Sequence, residues 1–476
     1  MNREYDIVFI QQHPIPYFGI SSIASYLFNA GFKCCVLIDE LEKNLIRSLR
    51  VIECNLIGIS VISIETQWLQ KITALIKSTF PEKYLIVGGL HAILRPQEIL
   101  ANTVADLVCN SEGESVVLNV IRELRKQKPE WHLVEGIGYR EKTGKIVLND
   151  RAALLVYSEA VIESRDIYYS RYPLLAKDAT HTFMSSRGCP YRCSFCYNSS
   201  IHDIFKQKGN YVRQKSVANF IMELSVHCGK YKFHSIFFYD DLFIANRRWL
   251  KQFLPLYKKE VGLPFICTAR ADLLDEIIVA LLAQAGCKTI SFGIESGNYQ
   301  LRRDILNKNI NNQQIINAGR IVHSAGLNLQ TTNMFCIPGE DVHKALETIE
   351  LNILAKTKFA FSSFLTPFPE TAIEKYLKQF SGGETEVSKL PSSFLKESVV
   401  HIEQKEIIKN IHYLAYFSVR YPCFYKYFTK NFYRYKILSP LFYLLFMIGA
   451  LWRHKQERNI SLFRTLLYVW RLKNAV

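Results

Sequence analysis

Three cysteines in one short run constrain this chain more than any other feature. Cys189, Cys193 and Cys196 follow the spacing C-x3-C-x2-C within residues 186–197. Cysteine thiolates are the usual ligands of iron–sulfur clusters, and three of them on one loop can hold three irons of a [4Fe–4S] cube. The fourth iron is then open to a small molecule, as at an open catalytic metal position. The motif therefore predicts a reactive cluster, whereas a cluster that only carries electrons would favour a fourth cysteine.

A zinc site is the alternative interpretation of the same run, with a fourth ligand from elsewhere such as His202. Zinc sites more often use paired C-x2-C arms, which this chain lacks. The other nine of its 12 cysteines are scattered, several of them in apolar runs where cysteine packs as a small core residue. In a large chain these are expected to be thiols or metal ligands, not disulfides, and we expect a cytoplasmic protein.

The first 150 residues alternate between short β-rich runs and helix-length segments. Strands are predicted at 5–10, 33–39, 55–60, 83–88 and 106–109, and helices near 19–30, 40–51, 65–79, 96–102 and 112–127. Alternation with continuous apolar strands predicts a doubly wound parallel sheet in an α/β fold. Such a sheet binds ligands beyond the carboxyl ends of its strands.

Small and polar residues follow two of these predicted strands. Ser60 ends the third strand, and Gly88, Gly89 and His91 follow the fourth. Glycine there allows a bulky ligand to approach the backbone closely. The G-x-G-x-x-G pattern of dinucleotide-binding folds is missing after the first strand. A protein-interaction or receiver-like domain is the alternative interpretation.

A second α/β region follows after a linker. Six strands are predicted at 182–186, 233–239, 264–269, 287–293, 328–335 and 359–365, with helices between them. Six strand–helix repeats predict a partial α/β barrel, whose active site lies at the carboxyl ends of the strands. The cysteine run follows the first strand, Asp240 and Asp241 the second, Arg270 the third and Glu295 the fourth.

These motifs resemble one enzyme family. The cysteine run with Phe195 and Tyr197, the element Phe238-Tyr-Asp240-Asp241-Leu-Phe243 and the run 293–296 resemble the radical S-adenosylmethionine (SAM) superfamily. Gly58-Ile-Ser60, Gly88-Gly89-x-His91 and the turn 110–114 resemble the cobalamin-binding domain of its cobalamin-dependent members. The resemblance spans roughly residues 5–375, including Arg165-Asp166 in the linker.

The resemblance implies three cofactors: a [4Fe–4S] cluster, SAM and cobalamin. Its open iron would chelate the amine and carboxylate of SAM, near Phe195, Tyr197 and Asp240–Asp241. Arg270 would pair with the methionyl carboxylate, whose shape suits a guanidinium, and Glu295 would accept ribose hydroxyls. Ser60, Gly88, Gly89 and His91 would contact cobalamin. Taken singly, Asp241 and Glu295 are equally compatible with ordinary helix caps.

Two departures from the family pattern qualify these expectations. Residues 11–19 read QQHPIPYFG and lack the Asp-x-His-x-x-Gly loop whose histidine ligates cobalt in many cobalamin folds. The chain would then bind cobalamin without a histidine ligand, or bind none. Relatives often have Pro-Gly-Thr where this chain has Pro369-Glu370-Thr371, which would alter a loop near the cofactor.

The main functional prediction is a cobalamin-dependent methyltransferase acting on an unactivated carbon. In the relatives, one SAM methylates cobalamin and a second yields the radical that abstracts a substrate hydrogen. The alternatives are a radical SAM oxidative cyclase, a non-catalytic sensor or electron carrier, and a zinc-dependent nucleic-acid-binding protein. The implied partners are a small-molecule substrate, such as a lipid, isoprenoid or natural-product intermediate, and an electron donor such as flavodoxin or ferredoxin.

Much of the positive charge lies in the last part of the chain. The formal net charge is +16, and residues 401–476 contain thirteen Lys and Arg against three Glu. No recognised nucleic-acid-binding module accompanies this charge, so a nucleic-acid partner is not expected. Residues 437–452 are free of charge but short for a bilayer span, which needs about twenty residues. They predict a buried helix that caps the substrate cavity, which we favour, or an interfacial helix in peripheral contact with a membrane.

The sequence thus predicts four parts. They are a cobalamin-binding-like domain at 1–150, a linker at 151–177, a radical SAM partial barrel at 178–378, and a basic, aromatic-rich helical region at 379–476. A Gly-, Ser- and Glu-rich linker or loop is expected within the last part, at residues 379–397.

Overall fold

The structure is a computed structural model that describes residues 3–157, 161–380, 390 and 393–458. The chain divides into two compact units. The first consists of Met1–Asp178 and Ser200–Lys232, and the second of Ala179–Ser199 and Phe233–Asn474. The predicted boundaries of the four parts stay a prediction. Most of the loop expected at 379–397, and the chain after 458, lie outside the described residues.

The first unit is built on a seven-stranded sheet. Its strand order is β3-β2-β5-β6-β7-β8-β9, in which the five strands from β3 to β7 are parallel and β8 and β9 are antiparallel. A parallel pair of two-residue strands, β1 and β4, accompanies it. The strands are β1 (Arg3–Glu4), β2 (Ile7–Gln11), β3 (Cys34–Ile38), β4 (Ile52–Glu53), β5 (Leu56–Ser60), β6 (Tyr84–Gly88), β7 (Leu107–Cys109), β8 (Ile137–Arg140) and β9 (Ile146–Leu148).

Helices cover both faces of this sheet, because its central strands are apolar on both sides. In β2, for example, Ile7 and Phe9 enter one hydrophobic core while Val8 and Ile10 enter the other. The helices of this unit are α1 (Phe18–Asn29), α2 (Leu45–Arg50), α3 (Thr66–Thr79), α4 (Leu90–Leu94), α5 (Pro96–Asn102), α6 (Gly113–Leu124), α7 (Asp166–Tyr169) and α9 (Val217–Lys230). The predicted doubly wound sheet is confirmed.

The second unit is built on a six-stranded parallel sheet whose strands follow one another in chain order. These strands are β10 (Thr180–Phe183), β13 (Ser235–Phe238), β14 (Phe265–Ala269), β15 (Cys287–Glu295), β16 (Asn328–Phe335) and β17 (Phe359–Phe364). Parallel neighbours in sequential order need helical crossovers, and these form a layer on the sheet. The prediction of a partial six-stranded α/β barrel is confirmed. Two further two-residue strands, β11 (Ser186–Arg187) and β12 (Arg213–Gln214), lie outside the two large sheets.

The remaining helices are α8 (Tyr197–Ile204), α10 (Arg247–Glu260), α11 (Glu276–Gln284), α12 (Asn312–Ser324), α13 (Val342–Leu354), α14 (Ala372–Phe380), α15 (Lys405–Arg420), α16 (Pro422–Phe424), α17 (Lys430–Phe432) and α18 (Ser439–Arg458). The C-terminal region is helical, as expected. α15 packs on the edge strand β17 and on α13, and α18 packs on α15.

Candidate functional site

The three cysteines lie on the loop after β10, at the carboxyl end of the first strand of the second sheet. All three are half-buried free thiols, and burial raises the pKa of each, that of Cys196 to about 12. Among the described residues, no three His, Cys, Asp or Glu side chains converge closely enough to hold a single metal ion. A [4Fe–4S] cube places its thiolates on separate irons, so it does not need the convergence that a zinc ion requires.

Arg270, which follows β14, reaches into the cysteine loop. Its guanidinium stacks on the ring of Tyr191, with the central carbon 3.7 Å from the ring centroid, and its Nη1 lies 3.9 Å from Cys193 Sγ. The other nitrogens, Nε and Nη2, donate to the two carboxylate oxygens of Asp272 at 2.9 and 3.1 Å. The geometry therefore ties this arginine to the cysteine loop, and two of its three nitrogens already donate to Asp272.

The two aspartates after β13 contact different parts of the same loop. Asp240 is buried, and its Oδ1 accepts hydrogen bonds from Ser185 and Ser186 at 2.5–3.0 Å. Burial raises the pKa of Asp240, opposed by those hydrogen bonds. Its Oδ2 is buried without a hydrogen bond in the described part of the chain. These contacts make Asp240 an anchor for the backbone that precedes the cysteines.

Asp241 holds the cysteine loop itself. It accepts hydrogen bonds from the backbone N–H of Gly188 and from the side chain of Asn198, and Tyr197 Oη lies 3.5 Å away. Burial raises the pKa of Asp241, and these hydrogen bonds oppose the shift. Asn198 Nδ2 also lies 3.7 Å from Cys196 Sγ. The structure therefore brings together Asp241 and Tyr197, which were both predicted as site residues. Asp241 also contacts Gly188, the residue that precedes Cys189.

Glu295 ends β15 in an unusual backbone conformation. Its φ is +68°, a left-handed value, and the register with β16 shifts between Gly293 and Glu295. Its buried carboxylate accepts a hydrogen bond from the buried Lys308 at 2.9 Å. Backbone strain of this kind persists only where the surroundings fix it, and it clusters at functional sites. Sequence reasoning did not single out Lys308, whose role depends on a contact 13 residues away in the chain.

Arg302 supports the turn that follows Glu295, and it too was missed by sequence reasoning. It is fully buried and donates to the carbonyls of Ser296 and Ile310 and to Asn312 Oδ1. Burial lowers the pKa of Arg302 to about 10. Phe195, predicted to contact SAM, is half-buried and packs in a cluster with Leu306, one turn after this arginine. The buried arginine therefore fixes a segment that reaches the cysteine loop.

Left-handed residues also follow the next two strands. Cys336, directly after β16, has φ +61°, and Glu340 Oε2 accepts from its N–H at 2.6 Å. Burial raises the pKa of Glu340 to about 8, and its Oε1 has no hydrogen bond among the described residues. Glu370 has φ +63°. Glycine adopts this value without a steric penalty, so the glycine of the family pattern would suit this position better than glutamate.

In the first unit, the predicted cobalamin contacts lie together beyond β5 and β6. Ser60 and Gly88 are opposite each other in the sheet and are half-buried. Gly89 has φ +96°, and a Cβ there would lie 2.5 Å from the carbonyl oxygen of Val61. The glycine at 89 is therefore required by the close approach of two loops of the protein itself.

The two histidines at this edge of the sheet are engaged by protein groups. His91 is buried, its Nδ1 lies 3.1 Å from Ser63 Oγ, and burial lowers its pKa to about 4. His13 has Glu40 at 2.9 Å from Nδ1 and Glu65 at 3.2 Å from Nε2. Burial lowers the pKa of His13, but the hydrogen bond that it donates to Glu40 and the two carboxylate charges outweigh burial and raise its pKa. The carboxylates around His13 are a third feature that sequence reasoning missed, after Lys308 and Arg302.

The chain is similar to known proteins over parts of both units. The model of the radical SAM superfamily matches residues 183–351. An uncharacterized methyltransferase of Pyrococcus horikoshii is 25% identical over 354 residues, which cover 71% of this chain and 74% of that protein.

Two solved structures share the fold. The radical SAM methyltransferase TsrM of Kitasatospora setae, solved with cobalamin and a [4Fe–4S] cluster, superposes with a TM-score of 0.65 at 15% identity, covering 80% of this chain and 75% of TsrM. The cobalamin-dependent radical enzyme OxsB, solved with aqua-cobalamin and SAM, gives 0.61 at 20% identity, covering 83% of this chain and 58% of OxsB. At these identities the likeness establishes the fold, and it extends over both units.

Proposed function

We propose that this chain, which contains a radical SAM domain over residues 183–351 and has the fold of cobalamin-dependent radical SAM enzymes, is a methyltransferase that acts on an unactivated carbon. The radical SAM domain and the fold are confirmed; the cobalamin dependence and the methyl-transfer activity are the proposal. The observation that carries the radical chemistry is the cysteine loop at a strand's carboxyl end, held by Arg270 and Asp241 from the next strands. The similarity to methyltransferases supports methyl transfer as the outcome.

The cluster would be held by Cys189, Cys193 and Cys196. Their chemistry fits a [4Fe–4S] group, because all three are free thiols on one loop. Burial favours the protonated thiols, so binding of the cluster would release protons. The nearby guanidinium of Arg270 would favour the thiolate form that the cluster requires.

SAM would lie on the open side of the cluster. Phe195 and Tyr197 would border it, and Asp241 would fix the loop that presents them. We assign Asp240 a positioning role through Ser185 and Ser186 in addition to the predicted cofactor contact. Glu295 would meet the ribose, with Lys308 holding its carboxylate in place.

Arg270 is the site residue whose predicted role changes most. Its pairing with Asp272 leaves Nη1 directed toward the cysteine loop. We therefore propose that it acts mainly by orienting Tyr191 and Cys193, with the methionyl carboxylate meeting it through Nη1.

Cobalamin would bind at the loops after β5 and β6, contacting Ser60, Gly88 and Gly89. The residues fit a cobalamin whose cobalt has no histidine ligand: both ring nitrogens of His13 contact carboxylates, and His91 is buried against Ser63. We therefore expect His91 to shape the loop beneath the cofactor, not to touch the metal.

When bound, the cluster and SAM supply a one-electron reductive cleavage, and cobalamin supplies a methyl-transfer centre. The chain's own residues would orient these groups and exclude water from them. We propose a small-molecule substrate of the lipid, isoprenoid or natural-product kind, and a flavodoxin- or ferredoxin-like electron donor. The cytoplasm suits the reaction, since it keeps thiols reduced.

The test is anaerobic reconstitution of the full chain with iron, sulfide and hydroxocobalamin, followed by desalting. Iron, cobalt and 5′-deoxyadenosine are then measured with SAM and a strong reductant. Wild type is compared with Cys193→Ala and with a matched control, Cys423→Ala, which alters an exposed cysteine outside the motif.

We expect bound iron and cobalt, and 5′-deoxyadenosine that disappears in Cys193→Ala but persists in Cys423→Ala. Iron and 5′-deoxyadenosine without cobalt would refute the cobalamin part and retain the radical chemistry. A well-loaded cluster that never cleaves SAM, even with candidate substrates present, would contradict the enzyme assignment and favour a sensor or carrier.

A further inference from the structure

The C-terminal helix α18 is only partly covered by the rest of the second unit. Phe442 and Phe446 face inward and are buried in the core formed with α15. Gly449 is on the same side, since a Cβ there would lie 2.8 Å from the ring of Tyr416. The helix is therefore fixed to the protein along one face. The helix predicted to be buried is thus buried only in part, and its capping of a substrate cavity stays a prediction.

The opposite face of α18 is an exposed apolar stripe. Its members are large hydrophobic side chains between 36% and 55% exposed, at spacings of three and four residues that share one helix face: Leu441, Leu444, Ile448 and Trp452. Ile437, in the turn just before the helix, is 87% exposed and is four residues from Leu441. Contiguous exposed apolar surface of this kind marks an interaction site, whereas single exposed residues do not.

The surroundings of the stripe are positively charged and aromatic. Residues 407–456 contain eight Lys and Arg and no Asp or Glu. Exposed Lys436 and Lys455 lie near the two ends of α18. The segment that leads into the helix exposes further large aromatic side chains, namely Tyr421, Tyr427, Phe432 and Tyr435. Aromatic rings and basic side chains around an apolar stripe are the composition of an interfacial helix on anionic lipid.

Two other occupants fit less well. A second copy of the chain would bring two acid-free basic segments together, and like charges at an interface are costly. A membrane span would use the 18-residue window Lys436–Arg453, whose mean hydropathy of 1.3 is sufficient by length and composition. Spanning would withdraw Phe442 and Phe446 from the core that they share with α15.

We propose that the exposed stripe of α18 docks this protein peripherally on the surface of an anionic lipid bilayer. Leu441, Leu444, Ile448 and Trp452 enter the interfacial layer, while Lys436 and Lys455 meet lipid phosphates. The helix lies in the plane of the surface and keeps its inner face on α15. This docking is independent of the proposed radical chemistry.

The test is flotation of the full-length protein with vesicles of phosphatidylcholine, with and without phosphatidylglycerol. The apolar variant is Leu444→Glu/Ile448→Glu, and its matched control is Ile277→Glu, which charges an exposed residue of α11. The charge variant is Lys436→Glu/Lys455→Glu, matched by Lys251→Glu/Lys258→Glu on exposed positions of α10. All altered side chains are exposed, so circular dichroism is expected to match wild type.

We expect wild type to float with anionic vesicles only, and each α18 variant to lose at least tenfold in affinity while both controls bind as wild type. High salt is expected to release the bound protein. Absence of wild-type binding, or equal losses in the controls, would overturn the proposal. It would also be overturned by retention on the vesicles through a high-salt wash, which indicates a span, or by a dimer that Leu444→Glu/Ile448→Glu dissociates.

Discussion

Left-handed residues mark the carboxyl ends of three neighbouring strands. Glu295, Cys336 and Glu370 all have φ between +61° and +68° and are not glycine. The first two are held by specific contacts, Glu295 by Lys308 and Cys336 by Glu340. A sequence does not reveal these conformations, because they depend on partners that the fold brings from other elements. The sequence shows glutamate at position 370, where the family pattern has glycine. Only the structure shows that this glutamate has a left-handed backbone conformation.

Glu370→Gly is expected to leave the protein as stable as wild type or more stable by up to about 1 kcal/mol. Relief of the left-handed strain favours the variant by about 1–2 kcal/mol, and the greater freedom of glycine in the unfolded chain offsets part of that. Free energies of unfolding from urea titration measure the effect. Glu370→Ala is the control: it keeps the strain and should bring no gain. Equal destabilisation by both changes would contradict this account.

Arg270→Lys is expected to slow formation of 5′-deoxyadenosine by about tenfold to a hundredfold. Lysine cannot reproduce both the two-pronged contact with Asp272 and the stacking on Tyr191. Loss of such a charged hydrogen-bonding geometry costs about 1.5–3 kcal/mol. The rate is compared at equal iron content, so that cluster loading is separated from chemistry.

The matched control for that change is Arg303→Lys. Arg303 makes the same kind of paired contact with Asp304, but at the surface and away from the cysteine run in sequence. Its rate should equal that of wild type. A wild-type rate of 5′-deoxyadenosine formation in Arg270→Lys would contradict a role for Arg270 in the site. An equally large loss of rate in Arg303→Lys would contradict it too.

The lowered pKa of His91 predicts how the free energy of unfolding depends on pH. Burial lowers its pKa from 6.5 to about 4, so the unfolded chain binds the proton more tightly than the folded chain. Its contribution is therefore complete above pH 6.5 and is lost as the pH falls toward 4, by about 3 kcal/mol in all. His91→Gln, which cannot titrate, should flatten this part of the pH profile in urea titrations at pH 7 and 4.5. A difference between the two proteins that does not vary with pH would rule this out.

At the scale of elements, strands with strong apolar runs were predicted closely and weak ones were not. β16 matches its predicted bounds, whereas β10 ends three residues before its predicted end, because Met184 and Ser185 belong to the loop that Asp240 anchors. The antiparallel strands β8 and β9 were not predicted. They have only four and three residues, and the turn between them relies on Gly144 at φ +86°, a signal that the sequence does contain.

Helix α9 is held in the first unit by a buried charge network. Lys215, just before the helix, donates to Glu163 at 3.1 Å and to Glu223 on the helix at 2.7 Å. All three side chains are buried. Burial alone would lower the pKa of Lys215, but the two carboxylates raise it well above its usual range. The linker predicted at 151–177 thus contributes a buried carboxylate to the packing of the unit.

Lys215→Met is expected to destabilise the protein by about 3–5 kcal/mol, because it leaves two carboxylates buried without their cation. Lys230→Met, at the other end of α9, is the matched control. Lys230 pairs with Asp166 but is 54% exposed, so its loss should cost about 1 kcal/mol or less. Thermal unfolding of both variants beside wild type measures the difference. Similar effects would mean that the buried network contributes little.

At the scale of the whole molecule, the sequence predicted the fold better than it predicted the side-chain contacts within that fold. The cysteine spacing and the strand–helix repeats indicated the radical SAM domain and both sheets, because they depend on local order along the chain. Lys308, Arg302 and the carboxylates around His13 could not be found that way. Each acts through a partner that becomes adjacent only after folding. The sequence also left open which face of the C-terminal helix is exposed.

The division of the chain affects how the protein is made. The first unit includes Ser200–Lys232, yet Ala179–Ser199, which carries the three cysteines, belongs to the second. Consider a nascent chain that has left the ribosome only as far as Asp178. It contains Glu163 but neither its partner Lys215 nor helix α9. The N-terminal unit therefore cannot finish folding before the segment with the three cysteines has been synthesised. During biosynthesis, that segment therefore leaves the ribosome while both units are still incomplete.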